Sequence, residues 1–215
     1  MGCGLWGDYL CSGCVNKLRP AMQVCPTCGR GSIYGVVHTK CRSRYGMDGV
    51  VRVVAYRGIV RRIIAKIKYR LVADMVGTVV ETVVSLSDLA PIDQKKWLVV
   101  PVPLSAARKR WRGFNQAEEI GRRVAAEFGW DYGEVLVRVV DTKPQVSMKD
   151  REKRLANVKG AFEISNKLQV TSYKLGQKNI LLIDDVWTTG ATMRECAKVL
   201  KRAGVGEVWG LAAAG

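Results

Sequence analysis

Acidic residues are scarce in this chain: 19 Asp and Glu stand against 35 Lys and Arg, for a net charge of +16. The shortage is deepest in residues 1–70, where thirteen basic residues meet only Asp8 and Asp48. Such a balance points away from cationic partners and towards polyanions, with nucleic acid ahead of a membrane surface and a phosphorylated small substrate equally served. Long apolar runs are missing too. No stretch of 18 uninterrupted apolar residues occurs, so no membrane span is expected. Met1-Gly2-Cys3-Gly4 lacks the basic and apolar regions of a signal peptide, and a cytoplasmic location is expected. Aromatic residues make up 7 % of the chain. Among the amino-terminal cations they amount to Trp6, Tyr9, Tyr34, Tyr45, Tyr56 and Tyr69, a thin supply of stacking platforms for a single strand. There is no internal repeat and no low-complexity tract. What remains, 215 residues with 48 % hydrophobic content, suits one α/β domain with a small appendage.

The most informative segment is Ile180-Leu181-Leu182-Ile183-Asp184-Asp185-Val186-Trp187-Thr188-Thr189-Gly190-Ala191-Thr192. Four apolar residues predict a short buried strand, two carboxylates stand at its carboxyl end, and a Thr/Gly turn leads into a helix. Ligands of open parallel sheets bind just beyond the carboxyl ends of strands. The turn offers backbone N–H groups, hydroxyls and a helix amino terminus, all suited to phosphate. The carboxylates repel phosphate but suit ribose hydroxyls or a hydrated Mg²⁺. Together these groups ask for a sugar phosphate. A P-loop is excluded, because Gly190 is followed by Ala191 where that motif needs Lys.

Six of the seven cysteines fall within the first 41 residues. Cys11-x-x-Cys14 and Cys25-Pro-Thr-Cys28-Gly have metal-ligand spacing, and His38, the only histidine, stands in the same register with Cys41. In a reducing compartment such pairs favour a structural zinc over disulfides. The candidate ligands are Cys3, Cys11, Cys14, Cys25, Cys28, His38 and Cys41. Eight ligands would serve two ions and seven or fewer fully serve one, and spacing does not say which pairs share a metal. Cys3 lacks a partner, so a start upstream of Met1 carrying a further Cys-x-x is expected. Cys196, on the helix after the phosphate turn, reads as a buried apolar filler.

Between these segments the pattern predicts a zinc module over 1–44 and an α/β domain over 45–215. Strands are expected at Gly49–Tyr56, Trp97–Val100, Val135–Val140 and 179–186, with a last one at Glu207–Ala213. Helices are expected from Gly58, over 71–87, up to about Phe128, and over Ala191–Ala203. Residues 85–96 read as a polar connection. Arg61, Arg62, Lys66, Lys68 and Arg70 flank the first helix as a solvated face or as a site for DNA backbone or a substrate phosphate. Pro101-Val102-Pro103 makes a stiff turn whose N–H groups could face a second phosphate. Arg108, Lys109, Arg110 and Arg112, four cations in five residues, would suit a pyrophosphate. The polar stretch 142–157 fits a loop that orders over a bound anion.

Jointly these segments resemble the ComF family. They comprise the Cys-x-x-Cys module, Tyr56-Arg57-Gly58…Lys66-Ile67-Lys68-Tyr69, Val100-Pro101-Val102-Pro103 with Arg112-Gly113-Phe114-Asn115-Gln116-Ala117, and Thr142-Lys143-Pro144-Gln145…Asn157-Val158-Lys159-Gly160-Ala161-Phe162. The acid–turn segment itself resembles the signature of type I phosphoribosyltransferases for phosphoribosyl pyrophosphate (PRPP). The resemblance implies a mainly parallel sheet flanked by helices with a small zinc module. It implies that Asp184 and Asp185 hold the ribose hydroxyls, that Thr188, Thr189, Gly190, Ala191 and Thr192 wrap the 5′-phosphate, and that the basic group neutralises pyrophosphate with Mg²⁺. It further implies a role in DNA uptake, with single-stranded DNA and competence proteins as partners, as a phosphoribosyl transferase or as a non-catalytic DNA-binding accessory. Two features depart from the family pattern: the incomplete first cysteine pair, and His38 where a cysteine is usual.

Overall fold

The computed structural model describes residues 12–67, 92, 95–141, 157–165 and 175–215. The helix expected over 71–87, the connection at 85–96 but for a few residues, and nearly all of the 142–157 loop lie outside them. A short helix α1 (Ser12–Val15) precedes β1 (Gly49–Val54), α2 (Gly58–Ile67) and β2 (Leu98–Pro101). Next come α3 (Ala106–Arg112), α4 (Gln116–Phe128), β3 (Asp131–Tyr132), β4 (Leu136–Arg138) and β5 (Phe162–Ile164). The chain closes with β6 (Ile180–Val186), α5 (Ala191–Arg202) and β7 (Val208–Ala214).

Five strands form one sheet in the order β1-β7-β6-β2-β3, every neighbouring pair parallel, while β4 and β5 form a separate antiparallel hairpin. The sheet is buried on both faces, which is why β6 begins as an unbroken apolar run rather than an alternating one. Ile180 and Leu182 pack with Met193, Cys196 and Leu200 of α5 and with Leu136 and Phe162 of the hairpin. Leu181 and Ile183 pack on the opposite face with Ile120 and Val124 of α4 and Val60 and Ile64 of α2. Cys196 is fully buried, with its thiol pushed well up by desolvation and then by the charge of Asp184, so it is a neutral filler of the first core.

The strand order places the site. From β2 the chain crosses outward to β3, and from β6 it crosses the other way to β7. The carboxyl ends of β2 and β6 therefore diverge at a topological switch point, where a crevice opens. Their register is fixed by Leu98 opposite Ile180 and Pro101 opposite Ile183.

The Cys-rich segment docks on the outer edge of β1. The Ala21 N–H donates to the Val53 carbonyl and the Ala55 N–H to that of Arg19. The Gln23 carboxamide imitates a strand neighbour: its Oε1 accepts from the Arg52 N–H at 2.9 Å and its Nε2 donates to the Arg52 carbonyl at 2.7 Å. Among the described residues no helix is long and apolar enough to cross a membrane.

Candidate functional site

A cleft of about 640 Å³ opens at the β2/β6 switch point. From β6 come Asp184 and Asp185, half-buried at the strand end, with the Asp184 carboxylate accepting the Asp185 N–H at 2.9 Å. From the turn come Thr188, Gly190, Ala191 and Thr192. Thr189 supports the loop rather than lining the cleft: its Oγ1 accepts the Ala191 N–H at 3.4 Å. Gly190 is obligatory here. Its φ is +71°, and a Cβ would stand 2.2 Å from the ring of Trp187, the buried residue on which the turn rests.

The opposite wall comes from the exit of β2. The two prolines of Pro101-Val102-Pro103 have no N–H, and the Val102 N–H donates to the Ile183 carbonyl at 2.9 Å. The turn thus spends its one amide on the sheet, contrary to the expectation that its N–H groups face an anion. Val102 and Pro103 shape the cleft wall instead, while Pro101 closes the β2 ladder.

The basic group following this turn forms a short helix of its own, separate from the one that runs on to Phe128. Ser105 caps α3 by accepting the Arg108 N–H, Gly113 ends it in the left-handed region, and Asn115 caps α4 by accepting the Ala117 N–H. Arg108 and Arg112 are four residues apart and so share a face, and both line the cleft. Lys109 points elsewhere and pairs with Glu118 at 2.7 Å, while Arg110 is exposed beyond the lining. Arg112 also donates to Gln116 Oε1 at 3.4 Å.

Arg138 of β4, which carries no motif, completes the basic wall together with Arg61. Burial and then the charge of Arg108 make the Arg138 cation less favourable than in water, while the charges of Asp141 and Asp184 work the other way. Cations crowded in this manner favour an anionic ligand. A lone arginine in a short strand reads as solvated, so sequence alone offered no signal for it. The cleft therefore presents a pair of carboxylates between a helix amino terminus and a cluster of arginines, an arrangement matched to a polyhydroxylated molecule carrying phosphate at both ends.

The second constellation is a cluster of Cys25, Cys28, His38 and Cys41, whose ligand atoms all lie within 4.8 Å of one another. A turn brings the first two together, the Gly29 N–H donating to the Cys25 carbonyl and the Cys25 N–H to that of Arg30. A 3₁₀ turn over Thr39–Cys41 aligns the other two. His38 Nε2 lies 3.1 Å from the Gly31 carbonyl, which fixes that nitrogen as the donor and leaves Nδ1, 3.5 Å from Cys28 Sγ, as the ligand atom. The Cys28 thiol is lowered to about 6, first by the Arg30 N–H and then by its side chain. Desolvation, followed by the nearby Cys28 and Cys25 thiols, raises that of Cys41 to about 11. Thiols gathered this closely want a cation, and Cys₃His is a standard set for structural zinc, so the residues fit the metal. Cys3 and Cys11 lie outside the described residues, as does the side chain of Cys14.

The fold and these two sites define a class: a parallel α/β domain with a cleft lined by aspartates and arginines at its switch point and a Cys₃His cluster able to hold a metal such as zinc. Over most of its length the chain is similar to proteins named for competence and DNA utilization. It is 29 % identical to "Competence protein F" of Haemophilus influenzae over 95 % of this chain and 90 % of that one. It is 28 % identical to "Competence protein ComFC" of Bacillus subtilis over 92 % and 80 %. It is 26 % identical to "DNA utilization protein YhgH" of Salmonella typhimurium over 95 % and 89 %. No protein-family model matches the chain. A solved structure of "the allosteric regulatory enzyme of purine biosynthesis" aligns with 64 % of this chain and 24 % of its own, at 18 % identity and a TM-score of 0.37.

Proposed function

We propose that the protein binds PRPP in the switch-point cleft and transfers its phosphoribosyl group to an acceptor, in the cytoplasmic handling of DNA taken up from outside. The observation that carries this reading is the convergence of Asp184 and Asp185, the Thr188–Thr192 turn, and Arg108, Arg112 and Arg138 on one cleft of about 640 Å³. Volumes of a few hundred Å³ suit a ligand of this size. In this reading the two aspartates hold the ribose hydroxyls and the turn holds the 5′-phosphate against the amino terminus of α5. The arginines stabilise the pyrophosphate as its bond to ribose C1 breaks and the acceptor's nucleophile takes its place. Mg²⁺, when bound, supplies further charge neutralisation to the pyrophosphate. The protein's contribution is positioning and preorganised charge. The relatives named for competence and DNA utilization support the biological setting.

The test is calorimetric titration of PRPP with Mg²⁺, with Asp184→Asn/Asp185→Asn as control. Binding that the double variant loses supports the reading; no binding by the folded native protein rejects it.

A second reading, a non-catalytic accessory that binds single-stranded DNA and keeps PRPP as a regulatory ligand, is supported by a different observation. Trp111 is 59 % exposed at the cleft rim, beside the exposed Arg110, on a chain of net charge +16. An aromatic platform among cations is what base stacking needs. Steep salt dependence of DNA binding with no acceptor-dependent pyrophosphate release would favour it.

A further inference from the structure

Arg194 lies in the first turn of α5, four residues after Gly190, and its guanidinium spans both constellations. Nη1 donates to the Pro26 carbonyl at 2.9 Å and to the Thr27 carbonyl at 3.2 Å. Nη2 donates to the Thr189 carbonyl at 2.7 Å. Pro26 and Thr27 are the two residues between the ligands Cys25 and Cys28, and Thr189 is the middle of the turn between Thr188 and Gly190. One planar fork thus holds the back of the metal knuckle and the back of the anion turn at once. The backbone of Arg194 is itself tied to that turn, its N–H donating to the Gly190 carbonyl at 2.9 Å.

We infer that Arg194 is a positioning residue through which a metal on Cys25, Cys28, His38 and Cys41 sets the shape of the Thr188–Thr192 turn. The two carbonyls of the knuckle keep their spacing only while both of its sulfurs are held at a common centre. Release of that centre frees Pro26 and Thr27, the fork loses two of its three acceptors, and the Thr189 carbonyl is no longer fixed. The shape of the turn depends on that carbonyl, because Gly190 next to it occupies a conformation that few residues share. Geometry rather than charge transmits the effect, since a lysine at this position keeps the cation but cannot reach three carbonyls in one plane.

The inference rests on the cluster holding a metal and not on which anion the cleft takes. It is tested by hydrogen exchange of the segment 188–194 in the zinc-loaded protein and after chelation, with the strands β6 and β7 as internal reference. The native protein is expected to show exchange in 188–194 faster by a factor on the order of ten after zinc removal, with β6 and β7 unchanged. Arg194→Gln and Arg194→Lys are both expected to exchange fast in this segment with zinc still bound, and to respond little to its removal. Three results would overturn the inference: an unresponsive native segment, a lysine variant that responds as the native does, or loosening that spreads equally through β6 and β7.

Discussion

The side-chain amide of Asn115 donates to the Val102 carbonyl at 3.0 Å, joining the start of α4 to the exit of β2. Asn115 is only 2 % exposed, and its oxygen at the same time accepts the Ala117 N–H at 3.1 Å. One side chain therefore caps a helix and fixes the cleft wall. Asn115→Ala is expected to lower stability by about 2 kcal/mol, from the lost cap and the stranded carbonyl together. Asn115→Asp keeps the cap acceptor but lacks the donor, so it should recover only part of the loss. Denaturant midpoints of the two variants check the order.

Gly190→Ala places a Cβ against the Trp187 ring and forces an alanine to a φ of +71°. A left-handed alanine costs about 1 kcal/mol and the overpacking about 1–3 kcal/mol more. The variant should fold with reduced stability, a perturbed Trp187 environment and no binding of a phosphorylated ligand. Tryptophan fluorescence and calorimetry together would show this, and unchanged ligand affinity would contradict the placing of the phosphate turn.

The four cations on α3 are expected to behave unequally. Arg108→Ala and, outside that helix, Arg138→Ala should each weaken PRPP binding at least tenfold, about 1.4 kcal/mol, because both line the cleft. Lys109→Ala should change it less than twofold, since its ammonium is committed to Glu118 on the surface. Equal losses for Arg108 and Lys109 would mean that the anion senses net charge rather than the cleft.

Acid should release the metal. The folded Cys28 value, about 6, lies below its ordinary 9.0. The stability gained from its thiolate is thus in place above pH 9 and is lost as the pH falls towards 6. Metal binding requires the same deprotonated sulfur, so acidification removes ligand and stabilisation together. Zinc competes with protons for these thiolates, so zinc content after dialysis is expected to fall as the pH drops below the value of the metal-free Cys28 thiol, and with it the protection of residues 24–41 in hydrogen exchange.

The centre of the site was legible because its signals are local. The apolar run of β6, the adjacent acids and the Thr-Thr-Gly turn all lie within thirteen residues, and each carries its own chemistry. β1, β2 and β7 follow from apolar runs bounded by turns and α5 from the turn that leads into it, and all four fall within two residues of expectation. The basic run at 108–112 has no apolar period, so α3 shows itself only through the Ser105 cap and Gly113. β3, two residues long, is too short to leave any pattern. Spacing pairs Cys25 with Cys28 and His38 with Cys41, but that these two pairs meet at one centre depends on how the segment folds back along β1. Arg138 in the cleft wall and the reach of Arg194 to Pro26 and Thr27 depend on tertiary contacts, which no window of sequence contains.

The imitation of a strand by Gln23 bears on how the molecule avoids its own copies. A parallel sheet of five strands has two open margins, and unpaired margins invite other chains to add on. At one margin β3 is only two residues long and offers little to pair with. At the other, β1 is six residues of Gly, Val and Arg, and its outer row is taken up by Arg19, Ala21 and the Gln23 carboxamide. Those blocking groups lead into Cys25 and the Cys₃His cluster. A metal held there would thus also guard against aggregation, and a protein stripped of zinc should be lost to self-association before its sheet unfolds.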